Sequence, residues 1–102
     1  MPEFCDGMTR GDLAKMIHLY IKNVKGINDL NDISKAAVLK DLYDCRVCVD
    51  HIAQVYLRGI MDAFFIPGKP EGLYIFDRER KVTHEEFDMT LLRAEGICKY
   101  TE

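Results

Sequence analysis

Three side chains with soft or basic donor atoms fall on one short stretch, Cys45-x-x-Cys48-x-x-His51. Thiolates and imidazoles are the usual zinc ligands, but a zinc site needs four of them, or three and a water. No second Cys-x-x-Cys and no His pair follows, only the isolated Cys5, His18 and Cys98. A metal centre is therefore not expected, and no cofactor is implied. Nor does a strand–helix–strand pattern surround the pair, as it would in a thiol oxidoreductase. On the helix predicted here Cys45 and Cys48 lie too close to pair well with each other. Reduced thiols, mostly buried as small apolar groups, are the expectation.

His84, Glu85 and Glu86 could exchange protons, but in the first turn of a predicted helix they read as a solvated face. The same segment imitates the exit of a calcium-binding loop, with Glu86 as the closing carboxylate. Counting back places Ile75 and Arg80 where such a loop needs Asp and Gly, which excludes calcium. There is no glycine-rich phosphate loop and no nucleophile elbow. The chain is not expected to be an enzyme.

One pattern occurs twice. Met8-Thr9-Arg10-Gly11-Asp12-Leu13 and Val82-Thr83-His84-Glu85-Glu86-Phe87 both read apolar, Thr, any, any, acidic, apolar. This is the capping box: the Thr hydroxyl accepts from a backbone N–H of the first turn, and the acid reaches back to the Thr N–H. Acid near a helix N-terminus also suits the macrodipole. Each cap is worth about 1 kcal/mol.

These boxes must open helices. Leu13, Met16, Ile17, Tyr20, Ile21 and Val24 make one apolar stripe, predicting a helix over 9–25 that Gly26 ends. The Asn- and Asp-rich segment 27–32 is a turn, and Asp32 can cap the next helix. From Ile33 to Met61 there is one Gly, at position 59, and no Pro. Val49, Ile52, Ala53, Tyr56, Leu57 and Ile60 repeat the helical spacing, and Val38, Leu42 and Cys45 continue roughly that face. So long a run favours a break near 44–50, leaving one bent helix or two. Residues 64–66 and 73–76 are β-prone runs around a Pro- and Gly-rich loop, a small hairpin. Thr83 then opens a last helix to about Glu95, with Phe87, Leu91 and Leu92 facing inward and Gly96 closing it. The expected fold is mainly α: a small helical bundle, one domain over 1–102, with a short β-hairpin or extended loop before the last helix.

Length and charge bound the function. With 102 residues, 48% hydrophobic and 30% charged, the chain has the make-up of one globular domain with a modest core. Its net charge of −3 and its interrupted basic groups argue against nucleic-acid binding. No apolar stretch has the length of a membrane span, so membrane insertion is not expected. The first residues carry no signal-peptide pattern. With Met1 as the natural start the chain stays in the cytoplasm; as a trimmed piece of a longer protein it belongs at the cell surface.

The ordered series Gly59-Ile60-Met61, Gly72, Phe76, Val82-Thr83, Glu86-Phe87 and Leu91 resembles the S-layer homology domain. Thr9-Arg10-Gly11-Asp12-Leu13-Ala14 looks like the same helix start from a neighbouring module. The resemblance covers most of residues 8–95, about one module and the first helix of another. The sequence departs from the family at His84 for arginine, Ala63 for glycine and Arg78 for proline, lacks tryptophan, and is longer between Asp29 and Gly59.

Such modules act in threes and hold anionic cell-wall polysaccharide in the grooves between them. The resemblance thus implies a non-catalytic binding module with Thr9, Arg10 and Asp12 at the ligand, a helix N-terminus and a guanidinium making an anion site. An incomplete set of modules implies self-association, or a scaffold without the ligand. The alternative is a small cytoplasmic protein-interaction module, a bacterial or phage-encoded regulator or inhibitor, using Phe64, Phe65, Ile66, Leu73, Tyr74 and Ile75 as its apolar surface.

Overall fold

Thr9 is where extended chain becomes helix. The computed structural model describes residues 4–65 and 74–100. Strand β1 (Phe4–Thr9) runs directly into helix α1 (Arg10–Leu19). The Thr9 Oγ1 accepts from the Asp12 N–H and an Asp12 carboxylate oxygen accepts from the Thr9 N–H, each at 3.2 Å. Leu13, Ala14, Ile17 and Ile21 are buried, but Met16 and Val24 are exposed, so the apolar stripe is narrower than its spacing predicts. Met16 lies at the edge of the α1 stripe, and Val24 is turned out by a π turn over Tyr20–Val24. Each residue there turns through less than an α-helical step, so the later positions drift off the buried face. Gly26, at φ +71°, ends the helix in the left-handed region.

The next stretch is neither one helix nor two. It holds three short 3-10 turns, Ser34–Val38, Leu42–Asp44 and Arg46–Cys48, before helix α2 (Val49–Leu57). Side chains divert the backbone here. Asp32 accepts from the Ser34 N–H at 2.9 Å, but Ile33 holds the N-cap position of the turn, so Asp32 caps no helix as the sequence predicts. Asp41 accepts from the amides of Phe76 and Asp77 at 2.9 and 2.8 Å, tying this segment to a distant strand end. Cys45 is extended (φ −129°, ψ 102°). That extended residue overturns the expectation of free thiols. Off a continuous helix, Cys45 and Cys48 lie 5.2 Å apart at Cα and are joined by a disulfide. Both are half-buried.

Helix α2 packs across α1, and Ile52, Ala53 and Val55 join the core formed by Leu13, Ile17, Leu39, Leu42, Ile60, Phe76 and Val82. Gln54 is also buried. Its side-chain amide accepts from the Leu30 N–H at 2.9 Å and donates to the Leu30 carbonyl at 3.2 Å, so the loop backbone is satisfied as by a strand neighbour.

Strands β2 (Phe64–Phe65) and β3 (Tyr74–Ile75) pair antiparallel, the hairpin expected from the sequence. Its loop lies outside the described residues. Strand β4 (Lys81–Thr83) pairs antiparallel with β1, slipping register between Phe4 and Thr9, where Gly7 takes φ +75°. Helix α3 (His84–Tyr100) then runs through Gly96, which does not end it. Phe87 and Leu91 pack on the core and Thr90 and Ala94 are buried, whereas Leu92 is 69% exposed. The inward face is the one shared by positions 87, 90, 91 and 94; Leu92 is a further helical step around. Among the described residues the fold is thus mainly helical with two short antiparallel pairings. Among the described residues no helix is long and apolar enough to cross a membrane.

Candidate functional site

Arg10 is the first residue of α1 and is only 2% exposed. A buried guanidinium needs partners for its planar fork of donors. Nε donates to the Phe76 carbonyl at 2.8 Å, Nη1 to the Glu86 carboxylate and Nη2 to the Asp62 carbonyl. The guanidinium carbon also lies 4.6 Å from the Phe64 ring centre and 4.4 Å from that of Phe76. Burial pulls the Arg10 pKa below its ordinary value, while Glu86 acts in the opposite direction and favours the charged form.

This network changes the second helix start. The Thr83 hydroxyl accepts from the Glu86 N–H at 3.1 Å, half of a capping box. The Glu86 carboxylate, instead of closing the box, turns to Arg10. The two repeated signatures therefore meet each other: the arginine of the first is held by the acid of the second.

In front of Arg10 opens a cleft of about 560 Å³, between the β2 end, β4 and the first turns of α3. Arg80, Lys81 and Arg93 edge it, opposed by Asp62 and Glu85, and Phe64, Ile60, Met61 and Met89 give it apolar walls. Arg80 lies 3.9 Å from the Phe64 ring centre, so that ring contacts two guanidinium groups. Arg80 also donates to Asp77 at 2.9 Å, Arg93 to Asp62 at 3.0 Å and Lys81 to the Gly7 carbonyl at 3.2 Å.

Thr9, Arg10 and Asp12, expected together at a ligand, are not brought into one seat. Arg10 lines this cleft, while Thr9 and Asp12 line a second one of about 470 Å³ with Lys15, Cys48, His51 and Arg78. The α1 amides are occupied as well. The Arg10 N–H donates to the Arg80 carbonyl at 2.9 Å, the Gly11 N–H to that of Arg78 at 2.8 Å, and the Asp12 N–H to Thr9. The helix start expected to hold an anion is closed by the protein itself. A methyl group at Gly11 would lie 3.2 Å from the Arg78 carbonyl oxygen, which shows how closely that turn approaches.

Of the expected apolar surface, Phe64, Tyr74 and Ile75 are half-buried. Phe65 is placed in β2 by its backbone alone, and Ile66 and Leu73 lie outside the described residues. His84 stands at the exposed start of α3.

Sequence reasoning missed a polar chain behind the second cleft. His18, on α1, is buried. Its Nδ1 lies 2.7 Å from Nδ1 of His51, on α2, and its Nε2 lies 2.7 Å from the Asp29 carboxylate. Lys22 donates to the other Asp29 oxygen at 3.1 Å. Burial, then the neighbouring His18 and Lys15, hold the His51 pKa below the usual histidine range, against the pull of Asp50 and Asp29. The hydrogen bond from His18, ahead of that from Lys22, holds Asp29 below the ordinary carboxylate value. The helical spacing of His18 beside Ile17 and Ile21 was the one available signal that it faces inward. Among the described residues no three His, Cys, Asp or Glu side chains group as a metal site. No protein-family model, curated protein or solved structure matches this chain.

Proposed function

We propose that this chain is a non-catalytic binding module, that its seat is the cleft edged by Arg80, Lys81 and Arg93, and that its ligand is an anionic cell-wall polysaccharide. One observation carries the reading. On a chain of net charge −3, this cleft gathers Arg10, Arg80, Lys81 and Arg93 against Asp62, Glu85 and Glu86 around apolar walls, and Arg10 and Glu86 pair with each other. The pairs Arg80–Asp77 and Arg93–Asp62 are solvent-exposed. Exposed pairs contribute about 1 kcal/mol or less, so an incoming carboxylate or phosphate can displace them. The walls suit the C–H faces of sugar rings, and the resemblance to S-layer homology modules supports the choice of a wall polymer. In this reading Arg10 stabilises the cleft from behind.

The test is co-sedimentation with purified anionic cell-wall polysaccharide at low salt. The wild type should be retained, and Arg80→Ala, Lys81→Ala and Arg93→Ala combined should weaken retention by at least about tenfold, ~1.4 kcal/mol. Added salt should weaken it too. A wild type that stays in the supernatant ends this reading.

A protein-interaction module on the same scaffold is favoured by the outer face of α3, away from the cleft, where Leu92 is 69% exposed. If the chain holds an incomplete set of modules, a second copy is the partner that would cover this face. Sedimentation should then show a dimer that Leu92→Asp dissociates; a monomer at every concentration excludes it.

A further inference from the structure

We propose that the Cys45–Cys48 disulfide is a reversible exchange site for low-molecular-weight peptide thiols, entered through the cleft that Cys48 shares with His51, Lys15 and Arg78. The disulfide joins Cys45, which precedes the 3-10 turn, to Cys48, the last residue of that turn and the N-cap of α2. A reduced cysteine at a helix N-terminus is the more reactive for the nearby positive end of the helix dipole, and Cys48 holds that position in the backbone. Unlike a disulfide sealed in a core, this one is half-buried, and the intervening Val47 is 83% exposed. The cleft, of about 470 Å³, has the volume of a site for a small peptide. Lys15 and Arg78, the latter 4.0 Å from Glu79, face Asp12 and Glu79, a balanced set matched to the carboxylates and the ammonium group of a zwitterionic peptide thiol.

The exchange proceeds in two displacements. An external thiolate attacks Sγ of Cys48; a bond forms between those sulfurs and the Cys45–Cys48 bond breaks. Its electron pair leaves on Cys45, which takes a proton from water. A second external thiolate then attacks the external sulfur of the mixed disulfide and releases the Cys48 thiolate. Two small thiolates are oxidised to their disulfide and the protein disulfide is reduced by the same two electrons. Run backwards, the protein dithiol reduces a small disulfide.

Glutathione is the probe. Folded wild-type protein is equilibrated in buffers of varied reduced-to-oxidised glutathione ratio, quenched by alkylation and peptide-mapped to assign each cysteine. Cys45 and Cys48 should open and reclose together across the series while the circular dichroism spectrum stays native. A disulfide that remains closed until denaturant is added overturns the proposal. The Cys45→Ser variant reads the entry point. Its Cys48 should form a glutathione mixed disulfide at least tenfold faster than Cys45 does in Cys48→Ser, and Lys15→Ala in the Cys45→Ser background should slow it. Equal rates at the two positions overturn the assignment of Cys48; if either variant does not fold, the wild-type titration decides alone.

Discussion

The Arg10 guanidinium donates to the Glu86 carboxylate across 76 positions of sequence, joining the starts of the first and last helices inside the protein. Both residues belong to helix-start signatures that look local. Their pairing makes Arg10 a structural cation, because its three kinds of nitrogen are all engaged by the fold.

Arg10→Ala should therefore act on stability before it acts on any ligand. It removes donors from two backbone carbonyls and leaves the Glu86 carboxylate without its partner, a loss of about 3–5 kcal/mol. Arg10→Met keeps much of the packing against Phe64 and Phe76, yet still strands Glu86, so it should recover only part. Arg10→Met combined with Glu86→Gln should recover more than the single changes predict. Denaturant titration measures all three, and additive losses would show that the pair is not coupled.

Asp41 should be the strongest anchor of the segment between α1 and α2. It accepts from two successive amides, those of Phe76 and Asp77, and Asp77 sits at φ +60°, a conformation that side chains rarely adopt. Asp41→Ala leaves both amides to find water and frees the turn that carries Arg80. A loss of about 2–4 kcal/mol is expected. Asp41→Asn, which can still accept one bond, should lose less. Equal unfolding midpoints for wild type and Asp41→Ala would refute the anchoring role.

How much of this was legible in the sequence depends on the distance between partners. Thr9 and Asp12 close a box within one turn, and Gly26 stops a helix by its own conformational freedom, so both could be read directly. The hairpin of β2 and β3 was legible from short β-prone runs flanking a loop. Strand β1 was not, because the residues that pair with it lie near position 82 and its own spacing is broken at Gly7. The helix expected after Ile33 failed for a similar reason: Asp41 serves Phe76 and Asp77, and no local pattern announces a carboxylate committed to a distant strand. For the site, the sequence picked Arg10 as the special arginine of the first box. It could not show that the second box would hold it, nor that Arg80, Lys81 and Arg93 would then edge the open cleft.

Gln54→Leu tests the same principle at another place. Gln54 is buried and satisfies both the N–H and the carbonyl of Leu30. Leucine nearly matches it in volume but leaves two backbone groups unpaired, so the apolar change should destabilise by about 1–3 kcal/mol. Faster hydrogen exchange at the Leu30 amide should accompany it. An unchanged or higher melting temperature would mean that the loop reaches water without cost.

His51 should make the protein sensitive to mild acid. Its folded-state pKa lies below the ordinary value of 6.5, so between the two values the unfolded chain binds more protons than the folded one. Stability is then fully present above about pH 6.5 and is lost as pH falls through the folded value. The geometry gives the same sign: the His51 ring is part-buried, with its Nδ1 2.7 Å from that of His18. Asp29, held below its ordinary value of 3.8, adds a loss in the same direction at lower pH. Thermal unfolding followed from about pH 7.5 to about pH 5 should show a falling Tm. In His51→Gln, which has no imidazole to charge, that slope should be shallower. A slope of the same steepness in wild type and His51→Gln would place the acid sensitivity outside the histidine pair.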